Sequence, residues 1–374
     1  MPNKIKILQF SIAASAGGRT QFLLNLWKRI DKERFSFDFI TFNKKLDFED
    51  DLIKTGAKIF HINNYPEDNL EGFTQEFQKI LSNGYDVIHI ATSFWKNIII
   101  EKLAKQAGIK KIIIHSHSSG INAVNISDDN ALKTHMYIKN HLNEGIATDY
   151  IACSKAAAEW LFGSQISEKK IQIIHNGIDS ERFKYNNIWR KTIRSKLNLE
   201  NYFVLGFVGR LEMVKNIDFI IKLLKDLLTY DVNIRLVIIG NGSQKRQLEE
   251  KVNELGLTEY VLFLGQIKQV EQYLMAFDIF LLPSIFEGFP ISLLEAQCAG
   301  LKSLVSLNVT EEVIISDLVQ RINIDNKKEW IDSLLKIKQG YERKDYSNVI
   351  IDNNLDTKQI VKQYEKIYME GICS

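Results

Sequence analysis

From residue 4 to residue 174, short runs rich in β-branched and aromatic residues alternate with amphipathic stretches. They read KIKILQFSI, a helix from about Thr20, FSFDFITF, a short helix, AKIFHI, a helix near 70–81, YDVIHIA, IKKIIIH, TDYIAC and KIQIIHN. Strands separated by helix-period segments are joined by crossovers, so this pattern predicts a parallel sheet covered on both faces. The pattern then restarts with NYFVLGFVG, a helix near 216–229, NIRLVIIG, a helix near 243–256, YVLFLG, FDIFLLP, a helix from about Ser292, and LKSLVS. The expected fold class is therefore α/β, with two doubly wound, Rossmann-like domains over residues 1–184 and 185–356. The polar stretch from Tyr185 to Asn201 is the candidate linker, although Trp189 and Leu197 point to a partly helical connection. Ligands of doubly wound sheets bind beyond the carboxyl ends of the strands, so two such domains invite a site in the cleft between them.

Composition narrows the classes without choosing one. With 374 residues, 45% hydrophobic and 25% charged, the chain is long enough for two cores and far from disordered composition. A net charge of +2 argues against nucleic acid as the main ligand. Cys153, Cys298 and Cys373 are scattered and odd in number, which fits neither a disulfide framework nor a zinc site and points to a reducing cytosol. The opening residues run straight into a strand pattern without the features of a secretory signal, and the longest apolar stretches, such as Ile279 to Ile285, fall short of a membrane span.

Candidate chemistry sits where strands end. After the first strand, Ala16, Gly17, Gly18, Arg19 and Thr20 open a helix, and glycines there let backbone N–H groups approach an anion. The dinucleotide fingerprint is absent, which disfavours a nicotinamide enzyme; a tight turn without a ligand is the plain alternative. The fifth strand ends in His115, Ser116, His117, Ser118, Ser119 and Gly120, with His115 and His117 on one face. A strand-end histidine is as often functional as structural, while His61, His89, His135, His141 and His175 have weaker contexts. No metal-ligand spacing accompanies them, so no metal is expected. In the second half, Gly209, Arg210 and Lys215 lie between strand and helix, where a bidentate fork and a point charge suit a diphosphate. Basic strand-to-helix loops are also common simply because they are exposed. Gly240, Asn241 and Gly242 repeat the arrangement one unit later. The richest stretch runs from Pro283 to Gly300. Glu287 lies in the loop with Gly288, Phe289, Pro290 and Ile291, and Glu295 lies about one turn into the following helix. Carboxylates accept from paired sugar hydroxyls, and loop N–H groups receive phosphate or sugar oxygens, so nucleotide-sugar binding is the chemistry suggested. Glu295 alone also suits a surface residue stabilising the helix dipole.

Glu287-Gly-Phe-Pro with Glu295, Gly209-Arg210 with Lys215-Asn216, the tetrad Asn176-Gly177-Ile178-Asp179, and Gly17-Gly18 together resemble glycosyltransferase family 4, whose members are retaining enzymes of GT-B architecture. The resemblance covers nearly the whole chain. His115-Ser-His117, Ala152-Cys153-Ser154 and Trp160-Leu161-Phe162-Gly163 are similar to the branch that builds bacterial capsular polysaccharides and exopolysaccharides. The resemblance implies that Arg210 and Lys215 hold the donor diphosphate, that Glu295 binds the ribose, and that Glu287 and its loop contact the donor sugar. It places His117 beside the reacting carbon, with His115 as second choice, and leaves His115, Ser118 and Asn176 as acceptor-side candidates. It implies no metal cofactor, and a last helix over about 357–374 that returns to the first domain; Ile360, Val361, Tyr364 and Tyr368 fall at helical spacing there. Lys302 departs from the family, which usually has proline at that position, and bears on the stiffness of its loop.

The expected reaction is sugar transfer from a nucleoside diphosphate, expected to be UDP, to a hydroxyl of a glycan or lipid-linked saccharide. The expected location is the cytoplasm, with transient contact at the inner membrane face through Trp27, Lys28 and Arg29. Core packing explains the apolar face of that helix equally well. A nucleotide-sugar 2-epimerase and a catalytically silent glycan-binding scaffold are the alternatives. Donor sugar, base, acceptor and linkage depend on pocket shape in variable loops such as Asn122 to Asn143 and are not fixed by these motifs, nor is the oligomeric state.

Overall fold

A computed structural model describes residues 4–14, 17–120 and 129–372, which leaves Ala16 and Cys373 outside the described residues. The chain forms two compact units. One contains the residues up to Gly177 together with those from Thr357 onward, and the other runs from Ile178 to Asp356.

The first unit is built on seven strands: β1 (Ile5–Phe10), β2 (Phe35–Thr41), β3 (Ile59–His61), β4 (Val87–Thr92), β5 (Lys111–Ser116), β6 (Asp149–Ala152) and β7 (Ile171–Ile173). They lie in the order β3-β2-β1-β4-β5-β6-β7 and every pairing is parallel. The strand order reverses between β1 and β4, so the loops after these strands and after β5 meet at a switch point. One face packs Leu8, Ile40, Ile88 and Ile90 against Phe73 and Phe77 of helix Leu70–Leu81. Residues 73, 77, 80 and 81 recur every three to four positions, so the helix turns one apolar stripe to the sheet. Its first turn is capped by Asn69, whose side chain accepts from the N–H of Gly72 at 3.0 Å. The last helix, Thr357–Met369, buries Ile360, Val361, Tyr364, Ile367 and Tyr368 in this same unit.

The second unit holds β8 (Phe203–Val208), β9 (Ile234–Ile239), β10 (Val261–Gly265), β11 (Ile279–Leu282), β12 (Ser303–Ser306) and β13 (Val319–Ile322). Their order is β10-β9-β8-β11-β12-β13, again all parallel, with the reversal between β8 and β11. The helix Ile217–Leu227 covers this sheet with Ile220, Ile221, Leu224 and Leu227 fully enclosed.

The structure decides expectations at three places. The stretch 185–201 belongs to the second unit, and the chain crosses between units after Gly177, before the expected boundary at 184. Within that stretch, helix Asn187–Lys196 is pinned by Arg190 and Arg194, which donate to backbone carbonyls near 276 and pair with Asp278. Guanidinium groups with five donors each can anchor a polar helix that carries few apolar residues. Trp27, offered as a membrane anchor, is buried edge-on to Phe39 with Lys32 over its ring, because the helix Gly18–Arg29 turns its apolar face inward. Within the segment 122–143, residues Asp129–Asn140 form a helix, and 121–128 lie outside the described residues. Among the described residues no helix is long and apolar enough to cross a membrane.

Candidate functional site

In the second unit, the loops after β8 and β9 interlock through their backbones. Leu211 N–H donates to the carbonyl of Asn241 at 2.9 Å, and Gln244 N–H donates to that of Leu211 at 2.9 Å. A Cβ on Gly240, whose φ is +141°, would stand 1.8 Å from the Gly209 carbonyl oxygen, and one on Gly242 would stand 2.4 Å from that of Leu211. Only glycine permits this crossing, so Gly209, Gly240, Asn241 and Gly242 are brought together as a backbone-lined turn. The Asn241 carboxamide accepts from Gly242 N–H, and Glu212 receives the backbone N–H and hydroxyl of Ser243 across the same crossing.

Lys215 lies at the end of a single 3-10 turn, Met213–Lys215, that Asn216 closes in the left-handed region at φ 53°. The Asn216 side chain donates to the carbonyl of Pro283, and Ile285 N–H donates to the carbonyl of Val214 at 2.8 Å, so the loops after β8 and β11 are tied together. This tie sets Lys215 Nζ 2.5 Å from Glu287 Oε1, which also accepts from the Ser284 hydroxyl at 2.6 Å. Both members of the ion pair are largely enclosed, with side-chain exposures of 15% and 9%. Arg210, on the same loop as Lys215, is exposed. Gly288, Phe289, Pro290 and Ile291 are buried and lead into helix Ile291–Cys298, with Pro290 before its first turn.

Glu295 is half-buried on that helix. Burial pushes its carboxyl up to about 8, opposed by the nearby Arg182 charge and reinforced by Glu271. Arg182 and Glu271 form an ion pair at 2.7 Å. Lys302 uses its backbone N–H on the Tyr341 hydroxyl at 3.0 Å, so the loop that departs from proline is held by a hydrogen bond proline could not make.

In the first unit, Gly17 precedes helix Gly18–Arg29 and Gly18 is exposed. Arg19 reaches the carbonyl of Ala91 at the end of β4. His117 follows β5, and its ring lies 3.9 Å from that of His115 and 5.2 Å from that of Phe22, centroid to centroid. Both ring nitrogens of His117 are enclosed without a hydrogen-bond partner. Burial, with smaller contributions from Arg19 and His89, holds the imidazole well below its usual range, so it is neutral. His115 is fully enclosed and bonds to His89 and Tyr364, so it faces protein and not an acceptor. Ser118 spends its hydroxyl on the Gly120 carbonyl at 2.7 Å. Asn176 is buried at the last position but one before the crossing into the second unit. His135 is structural, receiving the Trp95 N–H and stacking on Trp160.

Sequence reasoning gave no role to Ser284, Arg182, Glu271, Arg19, His89 or the hydroxyls of Tyr364 and Tyr368. Ser284, three positions before Glu287, was within reach of a local pattern. The others depend on contacts between distant elements. Among the described residues no three His, Cys, Asp or Glu side chains gather as a metal-holding group.

Residues 16–182 match the family described as Glycosyltransferase Family 4, and residues 190–357 match Glycosyl transferases group 1. EpsF of Bacillus subtilis is 27% identical over 88% of this chain and 87% of its own length. The capsular polysaccharide biosynthesis glycosyltransferase CapH of Staphylococcus aureus is 24% identical over 98% of this chain and 99% of its own. The crystal structure of Anabaena HepE in complex with UDP and glucose superimposes with a TM-score of 0.79 at 16% identity, covering 98% of this chain and 100% of that one. That likeness shows the fold. With two family matches in tandem along nearly its whole length, this chain belongs to the family 4, group 1 glycosyltransferases and has their GT-B fold.

Proposed function

We propose that the enzyme transfers a sugar from a UDP-sugar to a hydroxyl of a growing glycan or lipid-linked saccharide in bacterial surface polysaccharide synthesis, with retention at the anomeric carbon. The observation that carries this reading is the Lys215–Glu287 pair, fixed by Ser284 and seated beside the turn where the loops of Gly209 and Gly240 cross. Support for the donor class comes from HepE, whose structure holds UDP and glucose, and support for the pathway comes from CapH.

In this reading, breaking the bond between the sugar carbon and the phosphate oxygen puts negative charge on the diphosphate and positive charge on the sugar ring. Cations already in place at the diphosphate stabilise that transition state more than the ground state. Lys215 is held by Glu287 and pays little reorganisation when the charge develops. Arg210, exposed on the same loop, supplies the second cation as a planar fork suited to phosphate oxygens. The buried loop 288–291 presents backbone N–H groups at the start of a helix, where the dipole favours sugar or phosphate oxygens. Glu287 contacts the donor sugar and Glu295 accepts from the ribose. His117, neutral and with both ring nitrogens unsatisfied, hydrogen-bonds the donor sugar near its reacting carbon. The lipid-linked acceptor places the reaction at the cytoplasmic face of the membrane.

The test is a panel of UDP-sugars, each incubated with and without lipid-linked acceptors, with product linkage read by proton NMR. An α-linked product from an α-linked donor supports the reading. Turnover of donor alone to a 2-epimer points to the epimerase, and binding without turnover points to a silent protein.

A further inference from the structure

Behind His117 the first unit buries an unbroken polar chain in an otherwise apolar interior. The Tyr368 hydroxyl lies 2.7 Å from His89 Nδ1, and His89 Nε2 lies 3.2 Å from His115 Nδ1. The Tyr364 hydroxyl lies 3.2 Å from the same His115 nitrogen and 3.4 Å from His115 Nε2. All four side chains are fully enclosed. The rings of His89 and His115 are nearly parallel, 11° apart, and the His117 ring lies against that of His115 at a 36° tilt. Tyr364 and Tyr368 are four positions apart on the last helix and therefore share one face. The hydrogen bonds thus tie the last helix to β4 and β5 exactly under the histidine that follows β5.

Buried polar groups cost stability unless paired, and an apolar packing of the same shape would fill this space more cheaply. The chain of bonds also has a direction. A phenol is the better donor and a neutral imidazole nitrogen the better acceptor, so Tyr368 O–H donates to His89 Nδ1. His89 then carries its proton on Nε2 and donates to His115 Nδ1, which leaves the His115 proton on Nε2, where the Tyr364 hydroxyl is the acceptor within reach. Burial keeps His89 and His115 neutral, so each ring has one donor and one acceptor and the order is fixed from end to end. Remove the Tyr368 hydroxyl and His89 is free to exchange tautomers; His115 then loses its assigned donor, and the ring against which His117 packs is no longer fixed.

We propose that Tyr368, His89 and His115 are positioning residues for His117: a one-way hydrogen-bond chain from the last helix that sets the tautomer and plane of the ring supporting it. This rests on His117 acting at the donor sugar, as in the function proposed above. The residues themselves touch neither donor nor acceptor. Their effect is on the alignment of His117, where small misplacement is costly in rate and nearly neutral in donor binding.

The experiment compares wild type with Tyr368→Phe, His117→Ala and Phe37→Leu. Phe37 packs edge-on to the Tyr368 ring without joining the hydrogen bonds, so its variant controls for loosened packing. Imidazole nitrogen NMR of histidine-labelled protein should show His89 and His115 protonated on Nε2 in wild type. In Tyr368→Phe, His89 should become a tautomer mixture and the His117 signals should move, whereas Phe37→Leu leaves both in place. With UDP-glucose, UDP-galactose, UDP-N-acetylglucosamine and UDP-N-acetylgalactosamine as donors, Tyr368→Phe should lower kcat by about 10- to 100-fold with KM nearly unchanged. A wild-type His89 protonated on Nδ1 overturns the proposed direction, even if Tyr368→Phe fails to fold. Unmoved His117 signals and full kcat in Tyr368→Phe, with kcat lost in His117→Ala, overturn the positioning role. Full kcat in His117→Ala instead sinks the assignment of His117 in the reaction, while the NMR still reports whether the chain of bonds exists.

Discussion

Around Lys215 the second unit keeps charges, pairing an ammonium with a carboxylate at the rim of a glycine-lined turn and leaving Arg210 exposed on the same loop. Around His117 the first unit encloses three histidines and two tyrosines that burial holds in their uncharged forms, and the Arg19 charge nearby further disfavours a protonated His117. Both regions stand at the carboxyl end of a parallel sheet, so the same architecture supports a buried ion pair in one unit and buried uncharged rings in the other. In the function proposed above, the difference follows from what each region would have to stabilise. A departing diphosphate gains charge and calls for fixed cations. A sugar ring that turns cationic would be repelled by an imidazolium, so a neutral ring beside it is the compatible choice.

The strongest way to break this comparison is to remove its charged half. Lys215→Ala should lower kcat by about 10²-fold or more, as loss of one preorganised electrostatic group does elsewhere. An unchanged kcat with only weaker donor binding would show that the lysine binds ground state and transition state alike. The backbone crossing that seats the charges comes next. Gly240→Ala sets a methyl 1.8 Å from the Gly209 carbonyl oxygen, and the protein should lose about 1–3 kcal/mol, read as a lower midpoint in urea. A midpoint equal to wild type would mean that the turn is looser than its geometry implies.

Two smaller effects sharpen the contrast through pH. Glu101 is an acid buried in the first unit, its Oε2 without a hydrogen-bond partner, and burial pushes its carboxyl up to about 7. The folded state holds this proton more tightly than the unfolded state, so stability falls as pH rises from the unfolded value near 4.5 to about 7. Glu101→Gln should therefore raise the melting temperature well above neutrality and change it little in acid; an equal gain at both would assign the effect to packing. In the second unit, Glu295 titrates near 8. If its carboxylate is the form that receives the ribose hydroxyls, UDP affinity should rise severalfold as pH increases through that value, and the dependence should vanish in Glu295→Gln. Calorimetry across this range checks both.

Much of this was legible in the sequence because local rules were enough. Strand-to-helix alternation placed the strands through β12, and glycine between strand and helix marked both loops that cross at Gly209 and Gly240. Lys215 and Glu287 could be assigned to one chemistry, but not to one another, because 72 positions separate them and the tie runs through Asn216 and Val214. The stretch 185–201 reads as a polar, partly helical linker; the helix is there, but it belongs to the second unit because Arg194 is buried and donates to a backbone carbonyl and Asp278. Trp27 left two readings open, since a tryptophan beside two basic residues has the composition of an interfacial anchor, and its burial decides for core packing. His89 looked ordinary for a related reason. Its partner Tyr368 lies 279 positions away, and no spacing rule reaches that far.

The proposed division between a charged donor site and a site of uncharged histidines is tested most directly by calorimetric titration of UDP into wild type, Arg210→Ala and His117→Ala, each dialysed against a chelator. UDP should bind wild type and His117→Ala with the same affinity and bind Arg210→Ala at least several-fold more weakly. Equal binding by Arg210→Ala, or loss of binding confined to His117→Ala, would contradict the account.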